Sequence, residues 1–276
     1  MAAVLGTNVA SLWASKNLQT AQSDMANSVE RLSSGLRINR AKDDAAGLGI
    51  ANSLSQQING ANQGIKNLND GISIVQTAEG ALAAASEIAQ RILTLATQGS
   101  TGSMGSAQTA SILAEMSSLL TSINSIQTRT KFSGITLLNA AAITIQASNV
   151  SGDTIIIDLT TSLRKIGTAS SELASTLSAQ VTGSTFSGIL TEASTYITAL
   201  DTQRAKLGAL HNQMEYAVSN VTEMASNLSA ARSRIIDTDY ASETASLTKG
   251  QILQQAATAM LAQANQMPNV ILSLLK

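Results

Sequence analysis

The stretch LHNQMEYAVSNVTEMASNLSAARSRI, Leu210 to Ile235, decides the fold. Leu210, Met214, Ala217, Val221, Met224, Leu228, Ala231 and Ile235 step through it by fours and threes, the spacing that keeps side chains on one face of a helix. Leu190, Ile197, Leu200 and Leu207 carry the pattern upstream, so one long helix is predicted. Three other segments read the same way. Leu18, Met25 and Leu32, with Val29 beside them, predict a helix from about Asn8 to Ser34, stopped by Gly35. Ala61, Ile65, Leu68, Ile72 and Val75, continued by Leu82, Ile88, Ile92 and Leu95, predict a helix from Asp44 to Thr97, about 80 Å long at the usual rise. After the breaker QGSTGSMGS, Ile112, Met116, Leu119, Ile123 and Ile126 predict a third helix, returning antiparallel to the second.

The C-terminal segment repeats the device of the first. Leu253, Met260, Met267 and Leu274 lie seven apart, with Ala257, Ala264 and Ile271 offset by four. Between Ile143 and Leu159, the β-rich runs ITIQAS and TIIIDL flank NVSGD, whose Ser-Gly-Asp is turn chemistry, so one β-hairpin is predicted. The Ser-, Thr- and Ala-rich stretch from Lys165 to Gly188 reads as a connection with a short helix. The fold class is therefore mainly α: long antiparallel helices, a terminal coiled-coil pair, a helical bundle and one hairpin.

Composition agrees. Only six of the 276 residues are aromatic and only Pro268 is a proline, so Ala, Leu, Ile and Met do the packing and long helices are uninterrupted. With 17 basic and 18 acidic residues the chain carries no electrostatic footprint for nucleic acid, and no run of about 18 apolar residues predicts membrane insertion. No cysteine is present, and the N-terminus lacks the basic and apolar regions of a cleavable secretory signal.

The two ends have an unusual charge pattern. Between Met1 and Glu30 only Lys16, Asp24 and Glu30 are charged; between Gly250 and Leu275 nothing is. Val4, Leu5, Val9, Leu12, Ile252, Leu261, Val270 and Leu275 are apolar residues off the main stripes. Helices apolar on more than one face are expected to be unstructured in a free monomer and stable when buried among copies. That points to self-assembly.

No chemistry competes with this reading. His211 is the sole histidine, so neither a histidine metal cluster nor a His-containing triad can be built, and it reads as a helix-surface or interface residue. Asp43 and Asp44 precede an apolar-periodic run and read as helix-capping carboxylates. Gly47 and Gly49 match no phosphate-loop spacing and read as close-packing positions. Arg31, Arg37, Arg40 and Lys42 are expected to make salt bridges to another subunit.

The run RLSSGLRINRAKDDAAGLGIA, Arg31 to Ala51, with NDGISIVQTAEGAL, Asn69 to Leu82, closely resembles bacterial flagellin, as does SRIIDTDYASETASLTKGQILQQAATAMLAQANQMPNVILSLL, Ser233 to Leu275. The resemblance implies a structural subunit of the flagellar filament, a hollow extracellular propeller for swimming, with no enzymatic activity and no cofactor. It implies an inner core of paired terminal helices, residues 1–42 and 236–276, and an outer core, 43–142 and 184–235, with hairpin and connection at 143–183. Inner-core assembly falls to Leu18, Met25, Leu32, Leu253, Met260, Met267 and Leu274, and outer-core packing to Leu68, Val75, Met116, Ile123, Met214, Val221 and Leu228. Implied partners are further copies in a homopolymer, an export chaperone, a filament cap and hook-junction proteins, after type III export without a cleaved signal peptide. Mid-chain leaves no room for a sizeable outer domain, so the form is near-minimal, and without HExxH the family's metalloprotease insert is excluded.

The resemblance also implies a patch for the vertebrate Toll-like receptor five at Gln90, Arg91, Leu95 and Glu115, with Gln98 nearby. Leu93 and Thr94 replace a charged pair usual in strongly recognised members, so recognition is expected at reduced strength, against the alternative that Arg91 and Glu115 serve packing. Two other identities stay open at this point: a hook–filament junction protein, which shares both terminal patterns, and a secreted enzyme or adhesin on a helical scaffold.

Overall fold

The computed structural model describes residues 8–139, 142–158 and 186–274, with the backbone alone described for 139 and 267–274. The described residues form five helices: α1 Val9–Ser34, α2 Ala45–Gly99, α3 Ser106–Arg129, α4 Phe186–Ile236 and α5 Tyr240–Leu274. The chain divides into two compact units, with boundaries inside α2 between Gln56 and Gln57 and inside α4 between Ser226 and Asn227. The connection expected at 165–188 lies almost wholly outside the described residues.

Local signals place the ends of α1 and the start of α2. Asn8 caps α1, its side chain accepting from the Ser11 backbone N–H at 3.1 Å, and Gly35 stops it in the left-handed conformation at φ 73° while donating to the Arg31 carbonyl. Asp44 accepts from the Gly47 N–H at 2.8 Å, an N-terminal cap for α2. Asp43 instead closes the preceding turn, accepting from the backbone N–H groups of Arg40 at 2.9 Å and Asn39 at 3.2 Å.

In the unit from Gln57 to Ser226, α2 and α4 run antiparallel, as the closeness of Gly99 to Phe186 and of Gly71 to Met214 requires. The hydrophobic core draws Ala61, Leu68, Val75, Leu82 and Ile92 from α2, Met116 and Ile123 from α3, and Tyr196, Leu207, Met214 and Val221 from α4. The stripe that opened the reading of α4 is rotated slightly: Leu207, Met214 and Val221 are buried, Leu210 and Ala217 half-buried, and Met224 is exposed.

The expected hairpin is present. Strands β3, Ile143–Gln146, and β4, Thr154–Ile157, pair antiparallel with Ile145 opposite Ile155, and Gly152 at φ 91° turns the loop between them. A second, minimal pair was not anticipated: β1, Lys131–Phe132, and β2, Ile135–Thr136, are joined by Ser133 and Gly134, both at positive φ. Two central residues at positive φ are the hairpin turn that matches strand twist, and the Ser-Gly dipeptide was its signal in the sequence. A short 3-10 turn at Leu137–Asn139 follows, with Leu137 and Leu138 buried in the core.

The β3–β4 hairpin lies against a bare strip of α2. Methyl groups added at Gly60 or Gly64 would strike Asn149 and the Ala147 backbone, and one at Gly71 would meet Ile145. Asn67, on the same face, donates from its side chain to the Gln146 carbonyl at 3.1 Å. Glycines at this spacing let strand backbone lie directly on helix backbone. Of the other two glycines singled out, Gly47 is a packing position, crowded by Ile38 and Asp44, whereas Gly49 faces open space and packs against nothing.

Candidate assembly surface

In the other unit, α1 and α5 pair antiparallel: Asn8 reaches Ala264, Met25 lies beside Gly250, and Arg31 faces Glu243. The buried seam is built from small residues. Ala14, Ala21 and Ser28 on α1 lie seven apart, as do Gly250, Ala257 and Ala264 on α5. Small side chains let the two backbones approach closely. Leu18, Met25 and Leu32 flank the seam, half-buried.

This corrects the reading of α5. Leu253 and Met260 are not in the intramolecular seam: they are 47% and 65% exposed, and the seam belongs to the alanines offset from them by four. Leu261, read as off-stripe, is half-buried beside that seam. A period of seven is carried equally well by large and by small residues, and bulk favoured the wrong set. Side chains of Met267 and Leu274 lie outside the description.

Along one side of the α1–α5 pair runs a groove of about 620 Å³, walled by Trp13, Asn17 and Asp24 from α1 and Leu253, Ala256 and Met260 from α5. Trp13 is 62% exposed, with the Lys16 ammonium 5.8 Å from its ring centre. Val9, Leu12 and Ile252 are also exposed. The seam itself contributes little, since an alanine methyl stabilises by only about 0.8 kcal/mol when buried. The pair thus leaves Leu12, Trp13, Ile252, Leu253 and Met260 in contact with water.

Within the same unit, around the start of α2 and the end of α4, charged groups have partners inside the chain. Arg40 pairs with Glu30 at 2.8 Å, Asn39 donates to the same carboxylate at 3.0 Å, and Arg31 lies 3.7 Å from Glu243. Arg37 donates from its backbone to the Ile236 carbonyl at 2.7 Å and from its guanidinium to the Ile235 carbonyl. These arginines, expected to bridge to another subunit, find partners within their own chain. Ile38, Ala51 and Ile236 form a small core below them. The Arg40 N–H, foremost among its neighbours, holds the Asp43 carboxyl below the usual carboxylate range.

The other predicted residues are distributed as follows. Leu68, Val75, Met116, Ile123, Met214 and Val221 are buried in the core of the unit from Gln57 to Ser226. Leu228 lies beyond that unit and is half-buried. Gln90, Arg91 and Glu115 are exposed, and the Arg91 guanidinium donates to one Glu115 carboxylate oxygen from Nε at 3.1 Å and from Nη2 at 2.8 Å. Leu95 is corrected: at 2% exposure it faces the core and cannot belong to a surface patch with them. His211 lies on α4, 3.3 Å from Glu215 one turn on. Among the described residues there is no cluster of metal-ligating side chains, and no helix long and apolar enough to cross a membrane.

Comparison with known proteins agrees with this helical plan at both ends. Residues 5–142 match the model of the bacterial flagellin N-terminal helical region, and residues 190–275 that of the bacterial flagellin C-terminal helical region. The chain is 38% identical to a flagellin of Halalkalibacterium halodurans over 284 positions, covering 99% of this chain and all of that one. It is 34% identical to flagellin B of Vibrio cholerae serotype O1, covering both chains in full, but over 375 positions against the 276 residues here. The crystal structure of Bacillus cereus flagellin is similar with a TM-score of 0.49 and 28% identity, covering 60% of this chain and 94% of that one. With family models matched across most of its length and full-length relatives above 30% identity, the chain belongs to the bacterial flagellin family.

Proposed function

We propose that this chain is the structural subunit of a flagellar filament, and that copies pack through the outward apolar face of the α1–α5 pair. One observation carries the reading: two helices already paired with each other still expose Leu12, Trp13, Ile252, Leu253 and Met260. Such a surface is costly in water and is removed when it meets its like. The α1–α5 unit then serves as the inner core and the α2–α4 unit as the outer core of an extracellular filament. Export, chaperone, cap and junction partners follow from family membership alone.

Toll-like receptor five is a weaker reading of the Arg91 region. Its support is three exposed side chains, Gln90, Arg91 and Glu115, of which two already satisfy each other. The ion pair that Arg91 and Glu115 make with each other is the plainer account of the two charges.

The test uses Trp13→Lys and Leu253→Lys in the full chain. Both variants should fail to elongate filament seeds while the α2–α4 unit melts as in wild type. Elongation at the wild-type rate by both would refute the proposed surface.

A further inference from the structure

Of the methionines whose side chains are described, Met116 and Met214 are fully buried, Met25 and Met104 half-buried, and Met224 is 38% exposed. Met260 stands apart at 65%. It projects from α5 into the groove wall opposite Trp13, beside Leu253 and Ala256. The chain has no cysteine, so thioethers are the only sulfur an oxidant meets.

We propose that Met260 is an oxidation site whose state decides whether a free subunit can join the filament. The proposal rests on the assembly surface assigned above. Hydrogen peroxide is the oxidant: a thioether lone pair attacks one peroxide oxygen, the O–O bond breaks, the sulfur gains that oxygen and loses two electrons, and the other oxygen leaves as water. The product replaces an apolar, flexible side chain with a polar, chiral sulfoxide. In a free subunit the sulfoxide is hydrated and costs nothing. Packed against a second copy, in a groove whose lining is mainly Trp13, Leu253 and alanines but includes Asn17, Thr20, Asp24 and Gln263, it must shed bound water that the thioether never held. Oxidation therefore penalises the packed state selectively, and assembly in turn shields Met260 from peroxide.

The experiment treats full-length monomer with hydrogen peroxide, maps the oxidised methionines by peptide mass spectrometry, and measures the subunit concentration left unpolymerised by seeds. Oxidised wild type should leave about tenfold more subunit in solution, the equivalent of losing one well-packed apolar contact. Met260→Leu given the same treatment should polymerise like untreated protein, untreated Met260→Gln should resemble the oxidised form, and methionine sulfoxide reductases of both epimer specificities should restore the oxidised wild type. Preformed filaments should resist oxidation at Met260. Normal polymerisation of subunit fully oxidised at Met260, equal peroxide sensitivity of Met260→Leu, or normal polymerisation of Met260→Gln would each overturn the proposal. Failure of untreated wild type to elongate seeds would instead overturn the assembly reading beneath it.

Discussion

The side-chain amide of Asn8 donates to the backbone carbonyl of Ala264 at 2.7 Å, and Ala264 is the residue four before Pro268. A proline inside a helix has no N–H, so the carbonyl one turn back loses its partner. Here the helix continues through Pro268 to Leu274, and the first residue before α1 supplies the missing donor. The same asparagine caps α1 with its oxygen. One side chain thus closes two helix defects and ties the chain's ends together.

That double role predicts coupling. Asn8→Ala should destabilise the assembled form by about 1–2 kcal/mol per subunit, the range of a lost cap plus an orphaned carbonyl. Pro268→Ala returns an N–H to Ala264, so in that background the cost of Asn8→Ala should shrink by roughly 1 kcal/mol. Thermal depolymerisation of the four proteins gives the cycle. Additive energies would contradict the arrangement.

Two glycines on α2 should respond in opposite directions. Gly80 faces open solvent, so Gly80→Ala should stabilise the α2–α4 unit by about 0.5–1 kcal/mol through helix propensity alone. At Gly64 the new methyl would run into the Ala147 carbonyl, and Gly64→Ala should cost about 1–3 kcal/mol as the hairpin is displaced. Urea unfolding measures both. A stabilising Gly64→Ala would mean that the hairpin does not rest on the helix.

The Arg91–Glu115 pair is about half exposed on both sides, so its contribution should be small. Arg91→Ala or Glu115→Ala should each change stability by less than about 1 kcal/mol, and by less still in high salt. A loss of several kcal/mol in urea unfolding would show a role in packing that the exposure denies.

Much of this architecture was legible beforehand, and the exceptions share a cause. The ends of α1 and the start of α2 follow from Asn8, Gly35 and Asp44, caps whose chemistry is local, and the core of the α2–α4 unit follows from the periodicity of Leu68, Val75, Met116 and Met214. What escaped were matters of which neighbour a residue meets. Leu253 and Met260 keep the right period for a coiled-coil stripe but lie one face away from Ala257 and Ala264. Leu95 sits in a helix whose exposed and buried faces are separated by a single residue step, with Thr97 outside and Ala96 inside. The arginines from Arg31 to Arg40 find Glu30, Glu243 and two α4 carbonyls that only the tertiary fold brings near. The Asn8–Ala264 bond joins residues whose pairing no local pattern announces.

Asp43 gives a pH test of the turn before α2. Its folded pKa is depressed, chiefly by the Arg40 N–H, so its contribution is present above the unfolded value and is lost as pH falls through the folded value. Carboxyl NMR should find Asp43 titrating below ordinary aspartates, with the Arg40 amide exchanging faster once it is protonated. Titration at the ordinary position, with Arg40 exchange unchanged, would remove the turn's proposed support.

The central claim is that α1 and α5, held by a seam of alanines and leaving their bulky residues outside, complete their burial only against other copies. Amide exchange tests it most directly, comparing Val9–Ser34 and Tyr240–Leu274 in dilute monomer and in filament, with α2 and α4 as internal reference. Weak protection of both end helices in the monomer and strong protection in the filament is the predicted result; strong protection of both in dilute monomer would contradict the account.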